Sequence, residues 1–145
     1  MAVMLDNRQD RYRISQEKMQ IKAQDILNAL DCSEGELSVL IVDDRRIEVM
    51  NSKYFGRKGP TNVISFSMRE GEFPNISPDL LGDVVISAET AKREADSIGI
   101  SMNERFIQLL VHGILHIFGY DHEKSDHEAL IMEEKSNELL KLIDL

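Results

Sequence analysis

Between Phe106 and His122 the chain has little freedom: a nearly unbroken apolar run from Phe106 to Phe118 carries His112 and His116, then Gly119 intervenes and His122 follows. The run is shorter than the roughly 20 apolar residues that span a bilayer and holds two histidines, so it predicts a buried helix. Residues four apart on a helix lie about 40° apart around the axis and roughly 6 Å apart along it, so His112 and His116 lean toward one point. Gly119 can take the left-handed conformation that ends a helix, and Tyr120 and Asp121 then return the chain so that His122 faces the same point. Three imidazoles at this spacing predict a site for one divalent transition metal, with zinc the leading assignment and a fourth position open to water, as in catalytic sites. Imidazoles also serve nickel, copper and iron, so spacing does not choose the metal. His127 has no partner at ligand spacing and is expected on a helix surface.

The spacing is that of the zinc peptidase motif His-Glu-x-x-His-x-x-Gly-x-x-His, but Gly113 stands where the peptidases have glutamate. In those enzymes the glutamate takes the proton from the attacking water, and glycine has no side chain to do so. Peptide hydrolysis by that route is disfavoured. A metal can still lower the pKa of its bound water to about 7 and polarise a phosphoryl oxygen, which suits phosphodiester chemistry. No catalytic side chain beyond the ligands is identified.

The segment His112-Gly-Ile-Leu-His116-Ile-Phe-Gly-Tyr-Asp-His122 resembles the signature of the YbeY endoribonucleases, His-Gly-x-Leu-His-Leu-x-Gly-Tyr-Asp-His. Pro60-Thr-Asn-Val-Ile-Ser-Phe66, Leu81-Gly-Asp-Val-Val-Ile-Ser87 and Glu36 to Asp44 followed by Met50-Asn51 resemble further blocks of that family, in the same order. The resemblance implies a metal-dependent endoribonuclease specific for single strands. It would act in ribosomal RNA maturation, including the small-subunit 3′ end, and in ribosome quality control. It also implies ribosomal RNA as partner, a ribosome or its proteins as helpers, and no role for DNA. Six residues before Thr61, where the family usually has arginine, this chain has Phe55. Arg57 and Lys58 are the candidates to take over phosphate contact, since a guanidinium near the metal opposes charge developing on a phosphate. Two alternatives stay open: a metallopeptidase or other metal-dependent hydrolase, and a ribosome-associated protein with a structural zinc closed by Cys32 or His127 as fourth ligand.

At 145 residues and 42% apolar content, the chain suits one domain over 1–145 with a single core. Its one cysteine, Cys32, cannot form an internal disulfide. The start of the chain lacks the basic and long apolar segments of a signal peptide, so a reducing cytoplasm without membrane attachment is expected. The net charge of −9 runs against general affinity for RNA. Any contact with phosphate must come from local groups, such as Arg8, Arg11 and Arg13 or Arg57 and Lys58, and from the metal itself.

The remaining pattern predicts an α+β fold, a mixed sheet of about four strands layered with helices, with the metal site at the end of a helix in the C-terminal half. Strands are expected at Val3 to Arg8, Leu37 to Val42, Asn62 to Ser67 and Gly82 to Ser87. Helices are expected from about Ser15 to Leu30, with Met19, Ile21, Ile26, Leu27 and Leu30 as the apolar face, and after Asp44 as cap, with Ile47, Met50 and Tyr54 inward. Ser87 starts a further helix that Gly99 ends. Ser101-x-x-Glu104 and Ser125-x-x-Glu128 are capping boxes for the last two. In the final helix Leu130, Ile131, Leu139, Leu140 and Ile143 are expected to pack inward. The Gly- and Pro-containing stretch from Arg69 to Pro78 is a long loop that either covers a cleft or simply connects two strands.

Overall fold

The computed structural model describes residues 3–69 and 79–143. Its elements follow in the order β1 (Val3–Asn7), α1 (Gln16–Ala29), β2 (Glu36–Val42), α2 (Asp44–Phe55), β3 (Val63–Ser67), β4 (Leu80–Ser87), α3 (Ala88–Ile98), α4 (Met102–Ile117) and α5 (Asp126–Leu142). The four strands form one mixed sheet in the order β1-β2-β4-β3, the first two pairings parallel and β3 antiparallel to β4. This is the expected α+β architecture. The loop expected over 69–78 lies, from residue 70 on, outside the described residues.

Period-2 alternation divides the sheet between two cores. Leu37, Val39 and Ile41 of β2, with Val84 and Ile86 of β4, face the main cluster under α1 and α4. Val42 and Val85 point the other way, onto Ile47 of α2. Both central strands are thus covered on both faces, which accounts for the near-continuous apolar run in β2. The long helix α4 is the centre of the molecule. Phe106, Ile107, Leu110, Ile114 and Leu115 are almost fully enclosed, each contributing about 1.5–3 kcal/mol of transfer free energy. As a helix the segment pairs its backbone groups internally, which such apolar surroundings require.

Helix starts follow the predicted chemistry. Ser15, Ser87, Ser101 and Ser125 each accept a hydrogen bond through Oγ from the backbone N–H three residues on, at 3.0–3.2 Å. The second helix departs from expectation by one residue: Asp43 is its cap, accepting from the Arg46 N–H at 2.8 Å. Asp44 is drawn elsewhere, because its carboxylate accepts from Ser87 Oγ at 2.6 Å and Thr90 Oγ1 at 2.5 Å and pairs with Arg93 at 2.7 Å. It ties the start of α2 to the start of α3. Several large residues expected inside are exposed, namely Ile21, Tyr54, Leu130 and Ile131, while Ala23, Asn51 and Met132 take buried places. Close approach to the sheet and to neighbouring helices favours the small alanine and the adaptable methionine over bulkier side chains at those positions.

Candidate metal centre and its cleft

The last two turns of α4 deliver His112 and His116, and the helix then stops in a Schellman motif. The N–H of Tyr120 donates to the Leu115 carbonyl at 3.1 Å and the N–H of Gly119 to the His116 carbonyl at 3.0 Å, with Gly119 at φ +96°. A side chain would be strained at that φ, so glycine permits the reversal. Asp121 then shapes the turn by accepting from the Glu123 N–H at 2.8 Å, a structural use of an Asx residue. That same hydrogen bond holds its carboxyl below the ordinary aspartate range. The reversal brings His122 back beside the other two histidines.

The three rings lie with centroids 4.7, 5.0 and 5.3 Å apart. One nitrogen from each falls within 4.8 Å of the others, so the three form a single candidate metal site. Tetrahedral coordination at about 2.0–2.1 Å requires ligand nitrogens roughly 3.4 Å apart, a closure within reach of small ring rotations. Burial, with the positive charges of His116, His122 and Arg105 adding to it, pushes the pKa of His112 down to about 4. Its imidazole is therefore neutral at neutral pH, the form that binds metals. Neither Cys32 nor His127 joins the group among the described residues, so the fourth protein ligand of a closed structural site is absent there.

Gly113 faces the sheet. A Cβ at this position would come within 2.7 Å of Val84 Cγ1 and 3.2 Å of both Ser65 Oγ and Val63 Cγ2. The peptidase glutamate is therefore excluded by packing as well as missing. The close approach allows Ser65 Oγ to donate to the Gly113 carbonyl at 2.7 Å, and Ser67 Oγ meets the Ile117 carbonyl at 3.4 Å. The edge strand β3 is bound in this way to the helix that carries the histidines.

The site opens into a cleft of about 540 Å³ between β3, the end of α2 and the 119–124 turn. Of the two expected phosphate contacts, Arg57 lines this cleft and Lys58 does not. Arg57 lies 3.8 Å from Glu123, which in turn is 3.9 Å from His122 Nε2. These exposed pairs are weak and easily exchanged for another anion. Away from the cleft, the exposed Arg8 pairs with Asp6 and the exposed Arg11 with Glu89. Phe55, Asn62 and Lys124 line the cleft although sequence did not single them out as site residues. Asn62 is held by Glu94, which also binds Arg105 of α4. No local pattern marks Asn62 or Lys124, because the cleft forms only where β3, the end of α2 and the 119–124 turn come together.

A mixed sheet, a buried helix and three convergent imidazoles at the floor of an open cleft define a class: an α+β protein with a solvent-accessible three-histidine site. The family model described as Endoribonuclease YbeY matches residues 4–144. The chain belongs to the YbeY family. It is 48% identical over 145 residues to a relative named Endoribonuclease YbeY from Geobacter sulfurreducens, covering 99% of this chain and 97% of the relative. A second relative of the same name, from Syntrophus aciditrophicus, is 43% identical over 144 residues, covering 99% and 90%. The solution structure of TM1509 from Thermotoga maritima shares the fold, with a TM-score of 0.64 at 21% identity over 97% of this chain and 88% of the other. No helix among the described residues is long and apolar enough to cross a membrane.

Proposed function

We propose that this protein is a metal-dependent, single-strand-specific endoribonuclease of ribosomal RNA maturation, including the small-subunit 3′ end, and of ribosome quality control. Residues 1–145 act as one catalytic domain in the cytoplasm, with the ribosome or its proteins as partners. The observation that carries this function is the convergence of His112, His116 and His122 at the floor of an open cleft, in a chain whose relatives are named endoribonucleases. The three imidazoles would hold one zinc ion, which supplies Lewis-acid polarisation of a phosphoryl oxygen and activation of water. His112, kept neutral by its burial, is ready to bind without first losing a proton. Arg57 exchanges its weak contact with Glu123 for a substrate phosphate and opposes the charge that develops there. Lys58 acts from outside the cleft, on phosphates further along the strand.

The peptidase alternative is disfavoured on two grounds: no carboxylate stands at 113, and the Cβ that would carry one meets Val84. The test is cleavage of end-labelled single-stranded RNA by zinc-loaded protein, beside His116→Ala purified identically and unfolded casein as competing substrate. Metal-dependent RNA cuts that vanish in the variant are expected. Casein cuts with intact RNA would overturn the nuclease assignment.

A further inference from the structure

The rim of the cleft carries an aromatic group that the metal chemistry does not use. Tyr54 and Phe55 end α2 with 55% and 47% of their surface exposed, although each is large and mostly apolar. Both lean on Phe66 of β3, Tyr54 edge-on at 5.2 Å and 77° and Phe55 nearly parallel at 5.9 Å and 28°. Phe66 is itself packed against the smaller core of Val42, Ile47, Ile64 and Val85. Single exposed apolar residues are commonplace on protein surfaces, but three interlocked rings beside a functional cleft mark a binding surface.

We propose that Phe55, braced by Phe66 and Tyr54, is a stacking platform for an unpaired base of the RNA whose backbone enters the metal cleft. Phe55 lines the same cleft as His112, His116 and Arg57, so a base on its ring and a phosphate at the histidines belong to one ligand path. The platform is fixed before the ligand arrives. Gly56 ends α2 in the left-handed conformation, and buried Asn51 holds the following loop by donating to the Gly59 carbonyl at 3.1 Å. A rigid ring loses little freedom on binding. Charge points the same way: at −9 the protein cannot draw its affinity from general attraction to phosphate, whereas stacking on a neutral ring is indifferent to net charge and tolerant of sequence. A duplex keeps its bases stacked on one another and offers none to the platform, so the rings would also contribute to selection of single strands.

This inference rests on the nuclease function proposed above, and the experiment separates the two. Steady-state cleavage of a short single-stranded RNA is measured for wild type, Phe55→Ala, Phe55→Leu and Phe55→Trp. In parallel, quenching of a 2-aminopurine base in the same RNA is followed with metal-stripped protein. Phe55→Ala is expected to raise KM roughly five- to 150-fold, the effect of losing one stacked base, with kcat unchanged. Phe55→Leu fails to restore KM because it lacks a π face, Phe55→Trp restores it, and quenching follows the same order. Phe55 is half exposed at a helix end, so these variants fold. If wild type cuts RNA and His116→Ala does not, yet Phe55→Ala matches wild type in KM and quenching, the platform is wrong and the rings are left to a protein partner. If wild type does not cut RNA, the nuclease function fails and the platform fails with it.

Discussion

Replacing Gly113 by alanine sets two well-characterised effects against each other. Alanine in the middle of a helix is favoured over glycine by about 0.8–1 kcal/mol, so propensity alone predicts a more stable protein. The new Cβ would stand 2.7 Å from Val84 Cγ1, and Val84 is a fully buried residue of a central strand with no room to retreat. Overpacking of this kind costs about 1–3 kcal/mol. The same displacement stretches the 2.7 Å bond from Ser65 Oγ to the Gly113 carbonyl, worth about 0.5–1.5 kcal/mol. The costs exceed the gain, and Gly113→Ala is expected to destabilise by about 2 kcal/mol. For a chain of this length that corresponds to a fall of about 6–8 °C in Tm. Urea unfolding of wild type, Gly113→Ala, Val84→Ala and the double variant measures it. Val84→Ala in the Gly113→Ala background should cost less than in wild type, because it removes the colliding methyl. A Gly113→Ala protein as stable as wild type, or more so, would refute the close-packing argument.

Metal analysis of protein refolded with excess zinc should find one ion per chain, and none with His116→Ala or His122→Ala. Zinc at 100 times its Kd should raise wild-type stability by about 2.7 kcal/mol, and thermal unfolding that ignores zinc would count against the site. Arg57→Ala should lower RNA cleavage about ten- to 100-fold, the loss of one hydrogen-bonded charge, and unchanged kcat/KM would remove Arg57 from phosphate binding. Burial raises the pKa of Asp44, but the hydrogen bonds from Ser87 and Thr90 and the Arg93 guanidinium outweigh it and hold the carboxyl below its usual value. The folded pKa is thus depressed, so the stability Asp44 contributes is present above the unfolded carboxylate range near pH 4 and is lost as pH falls through the folded pKa. Asp44→Asn should cost about 1–3 kcal/mol at pH 7 and flatten the acid limb of the stability profile, and a stability profile that coincides with wild type would exclude this role.

Local chemistry was legible in sequence wherever one short segment decides the outcome. Ser87, Ser101 and Ser125 cap helices where predicted, and Gly119 reverses the chain so that three histidines meet. Local pattern misleads where distant segments decide. Asp44 looked like a cap, but Ser87 and Thr90, more than 40 residues on, claim its carboxylate. Tyr54 matched an apolar stripe yet lies on the surface, while Asn51 is buried because a loop carbonyl satisfies it. In the sequence Gly113 stands out for the side chain it lacks. That no side chain fits there depends on Val84, Val63 and Ser65, whose approach no helical pattern encodes.

Ser65 and Ser67 reach carbonyls four residues apart on α4, at Gly113 and Ile117. Two strand residues advance about 6.8 Å and four helix residues about 6 Å, so the two repeats run nearly in step. Edge strand and helix therefore mesh like a short rack and pinion with both teeth engaged, and one cannot slide along the other without stripping both bonds. The β3 wall and the part of the floor that carries His112 and His116 have a fixed gauge. Adjustment to a ligand falls to the opposite jaw, the exposed turn that carries His122 and Glu123.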